Sequence, residues 1–428
     1  MTAPGRKWGE LQLADRLQPV PLVFAILLAI PACAEQRYYT YVGDIQTDSV
    51  LLAWGVVDTN ATGNTIGRNS TSLGKATIRI DGRTLDSDRN WILVKGLAPD
   101  RAYPYEVQVG NRKIGAGTAR TNPVKAAKLA FFVIGDYGKG DSKQRRIADA
   151  MTAELARRSG SGNPVRFVLT TGDNIYADEV FGFPAGKTGN QDRHWGNKFF
   201  EPYQRILAQI PFYPSLGNHD GNESESSGDL EVYLDNFFLP EGRPLRHYSF
   251  RYADLAEFFA LDSTQNSDRA PLFPAYSKEG LQFAWLQQAL KASTVPWKIP
   301  FFHHPPFTAG PRHAPMLEEL RHFVDLFPQQ GVAVAFNGHE HNLQISERNR
   351  ATGGVAYIVS GAGGELRGEN ISSRMAKENI AGWAPQRHFL VVEIEARTMR
   401  IQPVSDQPVV VKDKDGRAIP LPLVVELR

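Results

Sequence analysis

Five short polar sets punctuate the chain: Gly135-Asp136-Tyr137-Gly138, Gly172-Asp173-Asn174-Ile175-Tyr176, Gly217-Asn218-His219-Asp220, His303-His304-Pro305-Pro306 and Gly338-His339-Glu340-His341. Together they offer carboxylates, an amide oxygen, imidazoles and a phenol. Such a mixed oxygen and nitrogen set suits hard to borderline cations, not copper(I) and not Ca²⁺ alone. The donors are too many for one ion. Two ions about 3.5–4 Å apart would need one bridging carboxylate, and such a pair clamps a phosphoryl oxygen and acidifies a bound water. The single cysteine, Cys33, excludes an intrachain disulfide and a thiolate cluster. A metal site must therefore draw on His, Asp, Glu, Asn or Tyr. All ten histidines lie at or beyond His194, which places the chemistry in the second half of the chain.

Taken singly, each set has an ordinary reading. Gly-Asp is a common turn, and Asn218-His219-Asp220 fits a capped one. His339 and His341, two apart, would share one face of an extended strand end. What binds the sets together is that each follows an apolar run. Residues 129–135 form one such run, as expected for a strand buried on both faces, and residues 165–171 form a second. Further strands are expected to end near Leu216, Leu261, Phe302, Phe336 and Val359. Counting from Asp136, Asp173, Asn218, His304 and His339, the sets are 37, 45, 86 and 35 residues apart. Most of these gaps fit one strand–connection–strand unit, so the sets can collect at one end of a sheet, where α/β folds place their sites. Helices are expected over 142–158, where Ile147, Met151 and Leu155 recur every four residues, and over 281–291 and 316–327. The Gly- and Asn-rich stretch 178–196 reads as a functional surface loop.

This series resembles the five-block signature of calcineurin-like metallophosphoesterases, and Tyr176, three residues after Asp173, is similar to the purple acid phosphatase branch. Gly338-His-Glu-His-Asn-Leu-Gln344 and Ser360-Gly-Ala-Gly363 read like its small mammalian-type members. The resemblance implies an iron(III) held by Asp136, Asp173, Tyr176 and His341. It implies a second ion (Fe, Zn or Mn) held by bridging Asp173, Asn218, His304 and His339. His219 resembles the residue that stabilises the transition state and protonates the leaving alkoxide, and His313 a second substrate-side histidine. On the His-x-Pro spacing His304 is the ligand, and His303 would turn to the other strand face and pack. Trp195 and Phe199 are expected to wall the pocket, with His194 nearby in the loop.

The rest of the chain must carry this site. At 428 residues, 42% hydrophobic and 22% charged, it has core enough for two or three domains and is neither disordered nor collagen-like. A formal charge of +2 suggests no nucleic-acid surface. Arg6 and Lys7 precede an apolar run from Val20 to Ala34, too short to span a membrane, so residues 1–34 read as a signal peptide. Ala32-Cys33-Ala34 fits ordinary cleavage, while Ile30-Pro31-Ala32-Cys33 resembles a lipobox that would leave a lipid anchor on Cys33. Residues 35–122 carry short alternating strands expected to form an all-β sandwich. There Leu97-x-Pro99-x-x-x-Tyr103-x-Tyr105-x-Val107 resembles the fibronectin type III pattern and Trp54 its core tryptophan. An α/β metallophosphoesterase domain, with its metal site at the strand ends, is expected over 123–428. The function expected is an exported phosphomonoesterase acting on small phosphorylated substrates. A phosphodiesterase on the same core, or a surface binding module with a relic metal domain, are the rivals.

Overall fold

The computed structural model describes residues 36–58, 72–180, 183–185, 195–220, 231–238, 246–264 and 274–427. The expected signal peptide, Cys33 and His194 lie outside the described residues. Seven strands open the described chain. Gln36–Ile45, Ser49–Asp58 and Trp91–Lys95 form one antiparallel sheet, and Ala76–Ile80, Arg83–Ser87, Ala102–Val109 and Arg112–Arg120 form the other. Trp54 is fully buried between them with Ile78, Tyr103, Tyr105 and Val107, the inward set that the period-two pattern requires. The Tyr103 hydroxyl accepts from the Ala98 N–H at 2.7 Å and donates to the Ala98 carbonyl at 3.2 Å. This pins the loop that enters its strand.

Two mixed sheets follow. In the first, Phe212–Pro214, Val165–Thr170 and Lys128–Ile134 run parallel, then Phe389–Glu395, Thr398–Val404 and Leu423–Glu426 continue antiparallel. In the second, Ala256–Ala260, Trp297–Phe301, Val334–Asn337 and Ala356–Ser360 are parallel, edged by Tyr248–Tyr252 on one side and by Leu343–Ser346 and Ile380–Ala384 on the other. The sheets face each other across Leu129, Phe131, Val133, Phe258, Ile299, Phe336 and Val392. Helix Ser142–Ser159 covers the outer face of the first sheet with Ile147, Met151 and Leu155 buried. Its start is capped by Asp141, whose carboxylate accepts from the N–H groups of Lys143 and Gln144. Leu281–Ala292 and Arg321–Gln329 cover the outer face of the second.

The third helix starts later than its pattern suggests. The Met316 N–H donates to the Pro305 carbonyl at 3.0 Å, and residues 316–320 form a separate turn, closed by the Leu320 N–H on the Met316 carbonyl at 3.1 Å, ahead of the helix. The surface loop expected at 178–196 begins with a short antiparallel pair, Asp178–Val180 with Phe183–Ala185. Trp195 and Phe199 do not wall a pocket. They are buried with Phe200 and Tyr203 against Tyr39, Tyr41, Leu51 and Val57 of the sandwich. Each such side chain taken from water contributes about 1.5–3 kcal/mol. A Cβ on Gly117 would sit 2.0 Å from the Ala208 carbonyl oxygen, which shows how closely the backbones approach. Sandwich and α/β region accordingly form one compact unit over Glu35–Arg428.

Candidate metal centre

All the parallel strands of both sheets end on the same side, and the polar sets sit in the turns just beyond them. Asp136 follows Lys128–Ile134, Asp173 and Tyr176 follow Val165–Thr170, and Asn218 and His219 follow Phe212–Pro214. From the second sheet, His303 and His304 follow Trp297–Phe301, and His339 and His341 follow Val334–Asn337. The turns are tight. Asp136, Asp173 and His339 have φ of 56°, 48° and 70°, a left-handed conformation costing roughly 1–3 kcal/mol each, of the kind that clusters at functional sites. Glycines let the turns meet: a Cβ on Gly217 would lie 2.1 Å from the Asp173 nitrogen, and one on Gly338 2.6 Å from Asp136 Oδ2.

Two groups of donors result. Asp136, Asp173 and His341 form one, all buried. The Tyr176 hydroxyl lies among them, 3.2 Å from Asp136 Oδ1, 3.0 Å from Asp173 Oδ2 and 3.2 Å from His341 Nε2. His303, His304 and His339 form the other. His303 Nε2 is 3.0 Å from Asn218 Oδ1, 3.1 Å from His339 Nδ1 and 3.4 Å from Asp173 Oδ2. Asp173 Oδ2 therefore faces both groups, while Asp173 Oδ1 accepts from the His219 N–H at 2.8 Å.

His303 does not pack away from the site. It is fully buried, its Nδ1 is held 2.8 Å from the Thr171 carbonyl, and its Nε2 points at the shared carboxylate. Strand alternation does not apply here because both histidines lie past the end of Trp297–Phe301. His304 turns its Nδ1 to the Ser263 hydroxyl at 3.0 Å.

The electrostatics call for cations. Burial pushes the Asp136 carboxyl well up, and the nearby Asp173 charge adds to this. Burial opposes ionisation of Asp173 too, yet His303 and His219 outweigh it and hold that carboxyl low. In return Asp173 overrides the cost of burying His303 and pushes it up to about 10. Among the described residues no Lys or Arg pairs with either carboxylate; the partners are His341 and His303. A buried, hard donor set with no Lys or Arg beside its carboxylates fits bound cations.

His219 is half-buried with its ring 4.5 Å from that of Tyr176. His313 stacks on His339 with ring centroids 3.9 Å apart, and its Nδ1 lies 3.0 Å from Arg367 Nη1. Three residues support the site: Asp220, which belongs to the third polar set, and Lys198 and Arg367, which carried no signal in the sequence. Asp220, fully buried, accepts from the N–H groups of Asn174, Ile175 and Gly217 and from the Asn174 side chain, tying the second set to the third. Lys198 is buried and donates to the Tyr176 carbonyl at 2.6 Å. Arg367 comes from a loop outside all five sets.

The family described as calcineurin-like phosphoesterase matches residues 129–343. Among curated proteins, purple acid phosphatase 17 of Arabidopsis thaliana is 27% identical over 282 residues, covering 60% of this chain and 76% of that one. Tartrate-resistant acid phosphatase type 5 of Homo sapiens is 28% identical over 252 residues, covering 55% and 73%. Two solved structures share the fold over 90% of this chain. One is PhoD, with TM-score 0.63, 16% identity and 92% of that chain covered. The other is the purple acid phosphatase PPD1 from yellow lupin, with TM-score 0.64, 15% identity and 74% covered.

Proposed function

This chain belongs to the calcineurin-like phosphoesterase family and is a metal-dependent phosphatase, and from that premise we propose that it is an exported phosphomonoesterase of purple acid phosphatase type. The observation that carries the reading is the position of Asp173 Oδ2, 3.0 Å from the Tyr176 hydroxyl and 3.4 Å from His303 Nε2. Asp136, Asp173, Tyr176 and His341 would hold iron(III). Asp173, Asn218, His303 and His339 would hold a second ion, Fe, Zn or Mn. His303 takes the place of His304 in this assignment because its Nε2 meets both Asn218 Oδ1 and Asp173 Oδ2, while His304 Nδ1 is turned to the Ser263 hydroxyl. Once bound, such a pair supplies charge to neutralise the phosphoryl oxygens and lowers the pKa of water for in-line attack.

The chain's own groups do the rest. The His219 backbone N–H fixes one oxygen of Asp173, and its ring, partly open to solvent, is placed to give a proton to the leaving oxygen. His313, stacked on His339, lines the substrate side. Export rests on residues 1–34, and no described helix is long and apolar enough to cross a membrane. Sequencing the N-terminus of protein recovered outside the cytoplasm distinguishes cleavage before Glu35 from a lipid-modified Cys33; an uncleaved cytoplasmic chain would refute export.

The test of the reading is metal analysis together with hydrolysis of matched mono- and diesters. Two metals per chain and a monoester preference are expected; a diester preference points to the phosphodiesterase. Tyr176 gives the test a spectroscopic arm. Its phenol is a hard donor, and a phenolate holding iron(III) colours a protein pink to violet. Tyr176→Phe removes that oxygen and keeps the ring, so the visible band should vanish while far-UV circular dichroism stays the same. A colourless wild type working on Mn or Zn alone would remove iron(III) from the assignment.

A further inference from the structure

His388 has no part in the scheme above, yet it is fully buried with both ring nitrogens engaged. It directly precedes Phe389–Glu395 of the first sheet, and its backbone N–H donates to the Ala362 carbonyl at 3.0 Å. Nδ1 lies 2.9 Å from the Gln386 carbonyl and Nε2 lies 3.2 Å from the Ser360 hydroxyl. The direction of each bond follows from the chemistry. A carbonyl only accepts, so Nδ1 carries the proton. Burial pushes the imidazole down to about 4, so the ring is neutral and Nε2 takes the Ser360 hydroxyl proton.

The series continues towards the metal centre. The Ser360 carbonyl accepts from the Thr171 hydroxyl at 3.2 Å, and the Thr171 carbonyl lies 2.8 Å from His303 Nδ1. That carbonyl also only accepts, so His303 Nδ1 donates and Nε2 is the nitrogen left for a cation. The four residues alternate between sheets. His388 and Thr171 stand at strand ends of the first, Ser360 and His303 at strand ends of the second. Gly135 makes the crossing possible, because a Cβ there would sit 2.1 Å from Thr171 Oγ1 and 2.7 Å from the Ser360 carbonyl oxygen. We propose that His388 is a positioning residue: through Ser360 and Thr171 it fixes the tautomer and aim of His303, and so sets affinity at the second metal position without touching ion or substrate. Metal-binding imidazoles depend in this way on what their other nitrogen meets. The proposal rests on the two-ion reading, with His303 as a ligand.

The test titrates Zn²⁺ by calorimetry into the full chain stripped with chelator. Wild type should take two ions, and the step lost in His303→Ala belongs to the second position. His388→Leu should weaken that step about 10–100-fold, as loss of the partners behind metal ligands does. The other step should change by less than about 3-fold. Ser360→Ala, which breaks the same link with a smaller change, should act likewise. His388→Gln, whose amide oxygen can accept from Ser360, should recover most of the affinity. In His303→Ala, where one step remains, adding His388→Leu should leave that step within about 3-fold. A histidine that only stabilises the fold would weaken both steps together and would weaken the step left in His303→Ala; either result overturns the proposal. Should His388→Leu not fold, Ser360→Ala decides by the same criteria. If wild type takes two ions and Ser360→Ala binds both as tightly, the positioning role alone fails. If wild type takes a single ion, or His303→Ala keeps both, the two-ion reading or the place of His303 in it fails, and the proposal falls with it.

Discussion

Asp173→Asn should lower turnover by about 10³-fold or more, beyond the ~10²–10³ that loss of a single preorganised donor costs. Asp173 is the residue whose one oxygen, Oδ2, faces both donor groups. The amide keeps the shape and the hydrogen bond from the His219 N–H, but it removes the charge that two cations would share. Coupling between the ions should go with it, so metal content should fall at both positions together. Asp136 Oδ1 and His341 Nε2 meet in the first group, 3.3 Å apart, and Asp136 reaches His339 only through that residue's backbone N–H. Asp136→Asn should deplete mainly the first position. The check is metal content by elemental analysis beside steady-state kinetics at saturating metal. If Asp173→Asn kept near-wild-type turnover with metal supplied, the shared-carboxylate scheme would be wrong.

The second large effect separates two adjacent histidines. His303→Ala should leave one metal per chain and cut activity by more than about 10²-fold, while His304→Ala should keep two metals and lose about 10–100-fold at most, as supporting residues around metal ligands do. His303 Nε2 points between Asn218 and Asp173, whereas His304 turns Nδ1 to Ser263. The opposite ranking in metal content would return the ligand role to His304. Because the two variants remove the same chemical group one residue apart, each is the other's control for folding.

The five sets and the strands leading to them were legible in the sequence for a simple reason. Strands buried on both faces must be apolar throughout, so a polar residue after such a run marks its end. Val165–Thr170, buried at every position, ends within a residue of its expected limit for the same reason. His303 was misread because both histidines precede a Pro305-Pro306 pair, so the His-x-Pro spacing fits either one. Ahead of Arg321–Gln329 the chain makes a separate turn over residues 316–320, a break that the apolar periodicity does not encode. Trp195 and Phe199 looked like pocket residues because an aromatic in a loop near a site reads that way. Rings distant in sequence, Phe212 and Phe237, together with the sandwich residues of the same cluster, make them core. Arg367 and Lys198 reach the centre through tertiary packing alone, and nothing in their flanking residues marks them.

The donor groups straddle the two sheets: Asp136, Asp173 and Asn218 stand on turns of the first, His303, His339 and His341 on turns of the second. A bound cation pair would thus act as a rivet across the open end of the layered core, cross-linking halves that otherwise meet through apolar contact and a few hydrogen bonds such as that from the Thr171 hydroxyl to the Ser360 carbonyl. Heat resistance then becomes a function of metal supply. With free metal at 100 times its dissociation constant, the folded state gains about 2.7 kcal/mol for each site. Melting in chelator should come earlier than melting in metal, and Asp173→Asn, which loosens the rivet on both sides, should erase most of that difference.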